Sequence, residues 1–134
     1  MRLVLRDGLP FLSLGVSHGG KTVEVSDVLL DTGSASTLLS ADVMAEVGVL
    51  PSPDETLYFI RGVGGREVVF TRRLGSLRAG EAELHDFEIE VGAMDYGFAI
   101  EGILGMDFLT AVGAIVDLGN LELKLPAVSQ DSEE

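Results

Sequence analysis

Short, evenly spaced turns constrain the fold of this chain most. Seventeen glycines interrupt its 134 residues, and between them lie short runs rich in Val, Leu and Ile. The pairs Asp7-Gly8, Gly19-Gly20 and Gly119-Asn120 are typical of tight turns between strands. Strand-length runs with a turn signal about every ten residues are typical of an all-β barrel or sandwich. We therefore predict a single, mainly β domain.

The predicted strands follow one another as hairpins. They cover residues 2–6, 10–16, 22–30, 57–60, 67–71, 74–79, 84–91, 114–118 and 121–125. Two segments have helix signals instead. Residues 40–48 start at a potential N-cap, Ser40, and end at Gly48, whereas residues 107–113 start at Asp107 as a predicted N-cap. We predict one domain over residues 1–126, with one or two short helices, and an acidic flexible tail over 127–134.

Charge and composition exclude several classes of function. The formal charge of −13 argues against binding to nucleic acid or to an anionic membrane, both of which need a basic surface. The chain has no cysteine, so disulfides, thiolate nucleophiles and iron–sulfur clusters are excluded. Its two histidines, His18 and His85, do not have the spacing of metal ligands. We therefore predict no metal and no cofactor.

The sequence also lacks signals for membrane insertion or export. No run of about 18 apolar residues is present, so we expect no membrane span. The first eleven residues, MRLVLRDGLPF, lack the apolar core of a signal peptide. A cytoplasmic location is the resulting expectation.

The most informative motif is Asp31-Thr32-Gly33-Ser34, which follows one apolar run and precedes another. An ordinary turn is one interpretation, because Asp, Gly and Ser all favour turns. However, both flanks are too apolar for an exposed turn, so the Asp31 carboxylate is expected near the core. A carboxylate there costs free energy unless it is hydrogen-bonded or functional.

This motif resembles the active-site motif of the aspartic proteases. Two further segments match that family in order along the chain. The segment around Gly62-Val63-Gly64-Gly65 resembles the flap, a hairpin with a glycine-rich tip. Ile103-Leu104-Gly105, followed by the second predicted helix, resembles the turn that packs behind the active-site loop. Together the three matches cover most of the chain.

The resemblance is to the single-domain, retroviral-type (retropepsin-like) branch. Two-domain pepsins have two such aspartates in one longer chain, whereas this chain has one. Asp117-Leu118-Gly119-Asn120 echoes the motif faintly but lacks the threonine, and is interpreted more simply as a hairpin turn. The chain is similar to bacterial retropepsin-like proteins and to the protease domain of DNA-damage-inducible ubiquitin-shuttle proteins. Without a flanking module, a stand-alone prokaryotic version is the better match.

The resemblance implies a role for each residue of the motif. Asp31 is expected to be catalytic, Thr32 to brace two loops across a dimer axis, and Gly33 to donate its N–H to the carboxylates. Ser34 is expected to hydrogen-bond the outer oxygen of Asp31.

Substrate-binding residues are also implied by the resemblance. The flap glycines Gly62, Gly64 and Gly65 would allow it to move and to approach a peptide closely. Apolar side chains near the site would form subsites, and the alternative for each is an ordinary core position. The candidates are Leu30, Val63, Ile100 and Ile103.

The resemblance implies an aspartic endopeptidase, which hydrolyses peptide bonds without a metal or a covalent nucleophile. This reaction requires two carboxyl groups, because one must accept a proton from water while the other polarises the peptide carbonyl. One Asp31 per chain then implies a two-fold homodimer acting on polypeptides. Segments 1–5 and 121–125 are candidates for a shared terminal sheet. Two alternatives remain open: a catalytically silent peptide-binding domain, and a subunit that dimerises only under some conditions.

Overall fold

A computed structural model describes residues 1–62, 65–96 and 98–126. These ranges form ten strands and two short helices. The strands are β1 (Val4–Arg6), β2 (Leu9–His18), β3 (Lys21–Leu30), β4 (Leu38–Ser40), β5 (Tyr58–Gly62), β6 (Gly65–Ala79), β7 (Ala82–Gly92), β8 (Gly102–Leu104), β9 (Ile115–Asp117) and β10 (Glu122–Lys124). The helices are α1 (Ala41–Ala45), between β4 and β5, and α2 (Met106–Ala111), between β8 and β9.

Six of the strands close into a barrel. Their order is β2-β3-β8-β4-β7-β6, and β6 pairs with β2 to complete the ring. Strands β1 and β5 extend the sheet beyond β2 and β6. Strand β8 lies between β3 and β4, parallel to β3 and antiparallel to β4. The loop that joins β3 to β4 must therefore cross the end of β8.

The first hairpins follow from the glycine turns. Arg6 pairs with Leu9 across Asp7-Gly8, and both turn residues have positive φ, 54° and 79°. This is the type I′ geometry that suits the twist of a two-residue hairpin. Gly19 and Gly20 repeat it between β2 and β3, with φ of 58° and 82°.

Apolar side chains form two clusters. The larger one fills the barrel and includes Leu14, Leu39, Leu74 and Phe108, all nearly inaccessible to solvent. The smaller cluster is separate from it and consists of Phe11, Leu29, Leu38, Val69, Met94, Ile100 and Ile103, with Ile60 and Tyr96 packed against it.

The first helix prediction is confirmed at its start, although α1 ends at Ala45 and not at Gly48, and the second needs a correction at its N-cap. Ser40 is the N-cap of α1, and its Oγ accepts a hydrogen bond from the Val43 N–H at 3.5 Å. The N-cap of α2 is Gly105 and not Asp107, which lies in the first turn. The Asp107 carboxylate reaches back to Thr37 on the other side of the loop, a contact that sequence spacing does not show.

Two strand predictions also change. The segments predicted over 67–71 and 74–79 are one continuous strand, β6, which pairs with β5, β7 and β2. The terminal segments pair with each other within the chain: Leu3 N–H donates to Leu121 O, and Leu123 N–H to Met1 O, each at 2.8 Å. The predicted tail lies outside the described residues.

The architecture agrees with the predicted class, a single, mainly β domain with two short helices. No helix within the described ranges has the length and apolar character needed to cross a membrane.

Candidate active site

The loop after β3 holds the Asp31 carboxylate by short-range hydrogen bonds. Its Oδ1 accepts from the Gly33 N–H at 2.9 Å, and the Asp31 carbonyl accepts from the Ser34 N–H at 3.1 Å. The Asp31 N–H donates to Leu104 O at 3.0 Å, which ties the loop to the end of β8. A Cβ at position 33 would lie 3.2 Å from Asp31 Oδ1, so glycine suits this close approach.

A second set of bonds ties the far side of the loop to α2. The Met106 N–H donates to Ser34 O at 2.8 Å. The Thr37 hydroxyl donates to Asp107 Oδ1 at 2.8 Å and accepts from the Gly105 N–H at 3.1 Å. These contacts fix the loop against Gly105 and the first turn of α2.

The Ser34 hydroxyl has a different hydrogen-bond partner from the one expected. Its Oγ donates to Ser36 O at 2.7 Å, so the described contact closes a local turn and does not involve the Asp31 carboxylate. Thr32 is exposed at the tip of the loop, and Asp31 is half-buried beside it.

Asp31 lines a cleft of about 550 Å³. The wall combines small loop residues, apolar side chains of the smaller cluster and two further polar side chains. The described lining residues are Asp31, Gly33, Ser34, Ala35, Ser36, Leu38, Ile60, Glu90, Tyr96 and Ile103. The cleft therefore places a carboxylate next to an apolar wall, the combination of a few polar groups with apolar lining that is typical of binding sites.

Two of these side chains have perturbed acidity. Burial raises the pKa of Glu90, and the negative charges of Asp107 and Glu88 raise it further. Burial also raises the pKa of Tyr96, together with its bond to Glu67. The Tyr96 hydroxyl donates to Glu67 Oε1, while Glu67 Oε2 accepts from the Met94 N–H at 2.6 Å. Glu67, from β6, thus holds the segment that carries Tyr96.

The residues that the sequence predicted to bind substrate lie in different parts of the structure. Ile103 lines the cleft. Leu30 packs in the larger core cluster and Ile100 in the smaller one, and neither is among the described lining residues. Gly62 and Gly65 pair at the ends of β5 and β6, whereas Val63 and Gly64 lie outside the described residues.

Sequence reasoning missed Glu90, Tyr96 and Ile60 as lining residues. Ile60 belongs to a predicted strand of the flap, in which alternate side chains face the same side. That alternation could have indicated that Ile60 faces the cleft. Glu90 and Tyr96 have no local motif, because they reach the cleft only through the pairing of β7 with β4 and the course of the following segment. Within the described part of the chain, no three His, Asp or Glu side chains gather as a metal site.

Comparisons with known proteins agree with this geometry. A family model described as "Aspartyl protease" matches residues 14–108, more than half of the chain, so the chain belongs to the aspartyl protease family. Its fold is retropepsin-like: it is similar to the crystal structure of a retropepsin-like aspartic protease from Rickettsia conorii, with a TM-score of 0.65 over 92% of this chain and 95% of that one, at 19% sequence identity. No curated protein sequence matches the chain.

Proposed function

We propose that the protein is an aspartic endopeptidase that acts as a two-fold homodimer on polypeptides. The observation that carries the proposal is the Asp31 carboxylate at the wall of the cleft, held by the Gly33 N–H at 2.9 Å. Family membership and fold agree with proteolytic chemistry. The cytoplasmic location and bacterial source expected from the sequence belong to this proposal.

The chemistry follows from two carboxyl groups that share one proton. Like charges at close range disfavour double ionisation, so the pair titrates as a unit. The ionised carboxylate takes a proton from water while the water oxygen attacks the peptide carbonyl. The protonated carboxyl donates its proton to the carbonyl oxygen. Collapse of the tetrahedral intermediate then breaks the C–N bond: the carboxyl that took the proton from water passes it to the leaving nitrogen, and the other carboxyl regains its proton from a hydroxyl of the intermediate. No cofactor takes part in these steps.

The homodimer follows from the number of suitable aspartates. The rival candidate, Asp117, accepts hydrogen bonds from the Asn120 backbone N–H at 3.1 Å and from Asn120 Nδ2 at 2.9 Å. These bonds are those of a hairpin turn between β9 and β10. Asp31 of a second copy is therefore proposed as the second carboxylate, since one motif per chain can form a pair only across a two-fold axis. Exposed Thr32 at the loop tip is available to contact its counterpart there.

The β5–β6 hairpin is proposed as the flap. Ile60 of β5 lines the cleft, and its partner across the hairpin is Glu67, which holds the Tyr96 segment. Closure of the hairpin over a bound peptide would exclude water from the carboxylates. Val63 and Gly64 are proposed to contact the peptide together with Gly62 and Gly65. Ile103 contributes an apolar subsite, and Leu30 and Ile100 would contribute only as support behind the wall.

The proposal is tested by cleavage of a denatured protein pool. Asp31→Asn should abolish cleavage, because it removes both carboxylates of the dyad while keeping the size of the side chain. Asp117→Asn is the matched control, since it makes the same change in a turn outside the cleft, and should leave cleavage intact. Equal activity of the wild type and Asp31→Asn, with a dimer present, would refute the enzyme proposal.

Dimerisation is tested separately by sedimentation at several protein concentrations. Each copy has a formal charge of −13, so association should strengthen as salt rises or as pH falls. A dimer that weakens with salt would contradict this. Specific activity should rise with protein concentration, and a monomer at all concentrations would favour the conditionally dimerising subunit.

The second candidate function is a catalytically silent peptide-binding domain. The apolar cleft wall is compatible with it. The intact support of Asp31 by Gly33 favours the enzyme, because a binding domain has no need of a positioned carboxylate. Peptide binding equal in the wild type and Asp31→Asn, without cleavage by either, would favour the binding domain.

A further inference from the structure

The cleft contains a second carboxylate that the proposed reaction does not use. Glu90 lines the cleft together with Asp31. Among the described lining residues, none is Lys, Arg or His. The electrostatic potential there is accordingly set by acidic groups.

The backbone of Glu90 is held rigidly beside the active-site loop. Its N–H donates to Thr37 O at 2.9 Å, and it pairs with Leu38 of β4, directly after the loop. On the other side of β7 it pairs with Thr71 of β6. Because the backbone of Glu90 is paired on both edges of its strand, its side chain is positioned by the barrel and not by a loop. Such rigid support suits a residue that determines specificity.

The surroundings of Glu90 give it no positive partner within the described residues. Its backbone partners Thr37, Leu38 and Thr71 are uncharged, and the charged groups that act on it, Asp107 and Glu88, are acidic. The two nearest arginines along β6 are engaged elsewhere: Arg72 with Glu55 at 2.6 Å, and Arg73 with Glu88 at 3.8 Å.

Burial without a counter-ion has a cost. Glu90 is half-buried, and no hydrogen bond to its carboxylate is present in the described structure. An ionised carboxylate in that position raises the free energy of the folded protein unless it takes up a proton or a cation is provided. A substrate side chain entering the cleft can provide it.

We propose that Glu90 forms an acidic subsite that selects a lysine or arginine side chain of the substrate, an inference that rests on the proposed peptidase function. The ammonium or guanidinium group binds the Glu90 carboxylate, while the alkyl part of the side chain packs on the apolar wall formed by Leu38 and Ile103. Long basic side chains suit such a mixed site because they combine an apolar stem with a charged end.

The test uses peptides that differ at one position at a time, with lysine, its neutral counterpart norleucine, or glutamate. For the wild type, we expect kcat/KM at one position to favour lysine by about tenfold or more. Glu90→Gln should reduce this preference to within about twofold, and Glu90→Lys should favour glutamate instead. Glu88→Gln is the matched control, because Glu88 is on the same strand but outside the cleft, and it should keep the preference.

Three outcomes would overturn the inference: no preference for lysine in the wild type, an unchanged preference in Glu90→Gln, or an equal loss in Glu88→Gln. The first does not depend on any variant folding. If the wild type cleaves no peptide, the proposed peptidase function fails. The acidic subsite is then tested by peptide binding instead of cleavage. Anisotropy of labelled lysine and norleucine peptides on the wild type and Glu90→Gln should then show the same preference, and equal binding would refute the subsite alone.

Discussion

Thr37 and Asp107 are joined by two hydrogen bonds although they lie 70 residues apart. The Thr37 N–H donates to Asp107 Oδ2 at 3.1 Å and its hydroxyl donates to Oδ1 at 2.8 Å. Asp107 Oδ1 also accepts from the Phe108 N–H at 2.8 Å. One carboxylate thus connects the return strand of the active-site loop to the first turn of α2.

This contact explains how a short exposed loop can hold a carboxylate in a fixed place. The loop is anchored where it leaves β3, through Leu104, and where it enters β4, through Thr37 and Asp107. Thr37 is fully buried, so its polar groups need these partners.

The first prediction concerns Thr37→Val, which keeps the shape of the side chain but removes the hydroxyl. The Gly105 N–H and Asp107 Oδ1 each lose a partner, so the free energy of unfolding should fall by about 2 kcal/mol. Cleavage should fall more than tenfold, because the loop that holds Asp31 loses an anchor. Urea unfolding and peptide cleavage measure the two effects. Thr22→Val, the same change at an exposed strand position, should alter neither; equal effects of both variants would contradict the anchor.

The second prediction concerns Gly105→Ala. A Cβ at this position would lie 2.3 Å from Ser36 O and 2.9 Å from Ser34 O, both backbone atoms of the active-site loop. The loop must therefore shift, and we expect loss of activity with destabilisation of about 2 kcal/mol or more. Gly119→Ala is the control, because its Cβ would meet only Asp117 Oδ1 at 3.6 Å. A fully active Gly105→Ala would show that the approach of turn and loop is not required.

The third prediction is a pH dependence of stability caused by Glu90. Its pKa is raised in the folded protein by burial, then by Asp107 and Glu88. The folded state consequently binds more protons than the unfolded state in the window above the usual value of 4.5, and this group makes stability fall as pH rises through that window.

Glu90→Gln should remove this contribution. The melting temperature of the variant relative to the wild type should be higher at pH 7 than at pH 4. Glu24→Gln, at an exposed position of β3, should show no such change with pH. A difference between Glu90→Gln and the wild type that is equal at both pH values would contradict the assigned burial.

The fourth prediction concerns the packing of α2 on the barrel. Phe108 is completely buried and makes an edge-to-face contact with Phe87, with ring centroids 5.9 Å apart. Phe108→Ala should therefore cost about 3–5 kcal/mol of unfolding free energy, measured by urea denaturation. Phe98→Ala, at a side chain 45% exposed, should cost much less. Similar losses in the two variants would mean that α2 does not belong to the core.

Local sequence signals predicted the features that depend on neighbouring residues. The Asp7-Gly8 turn needs only two residues with positive φ, and the Ser40 cap of α1 needs only one hydroxyl near a helix start. The candidate active-site loop could also be proposed from local sequence, because Asp31, Thr32 and Gly33 are consecutive.

Other features had no local signal. Asp107 was predicted as a helix cap because it stands at the start of a predicted helix. Its hydrogen-bond partner, Thr37, is distant in sequence, so no local pattern indicated this contact. The length of β6 was missed because its two halves pair with different strands along one edge, Val69 with β5 and Leu77 with β2.

By itself, the sequence determined the mainly β class and the family motif that contains Asp31, because turns and this motif are encoded by adjacent residues. Tertiary structure decided which side chains surround that aspartate. Glu90 and Ile103 reach one cleft only because β8 is inserted between β3 and β4 and β7 pairs with β4. Such pairings depend on the burial of apolar faces across the whole barrel, which no short segment specifies.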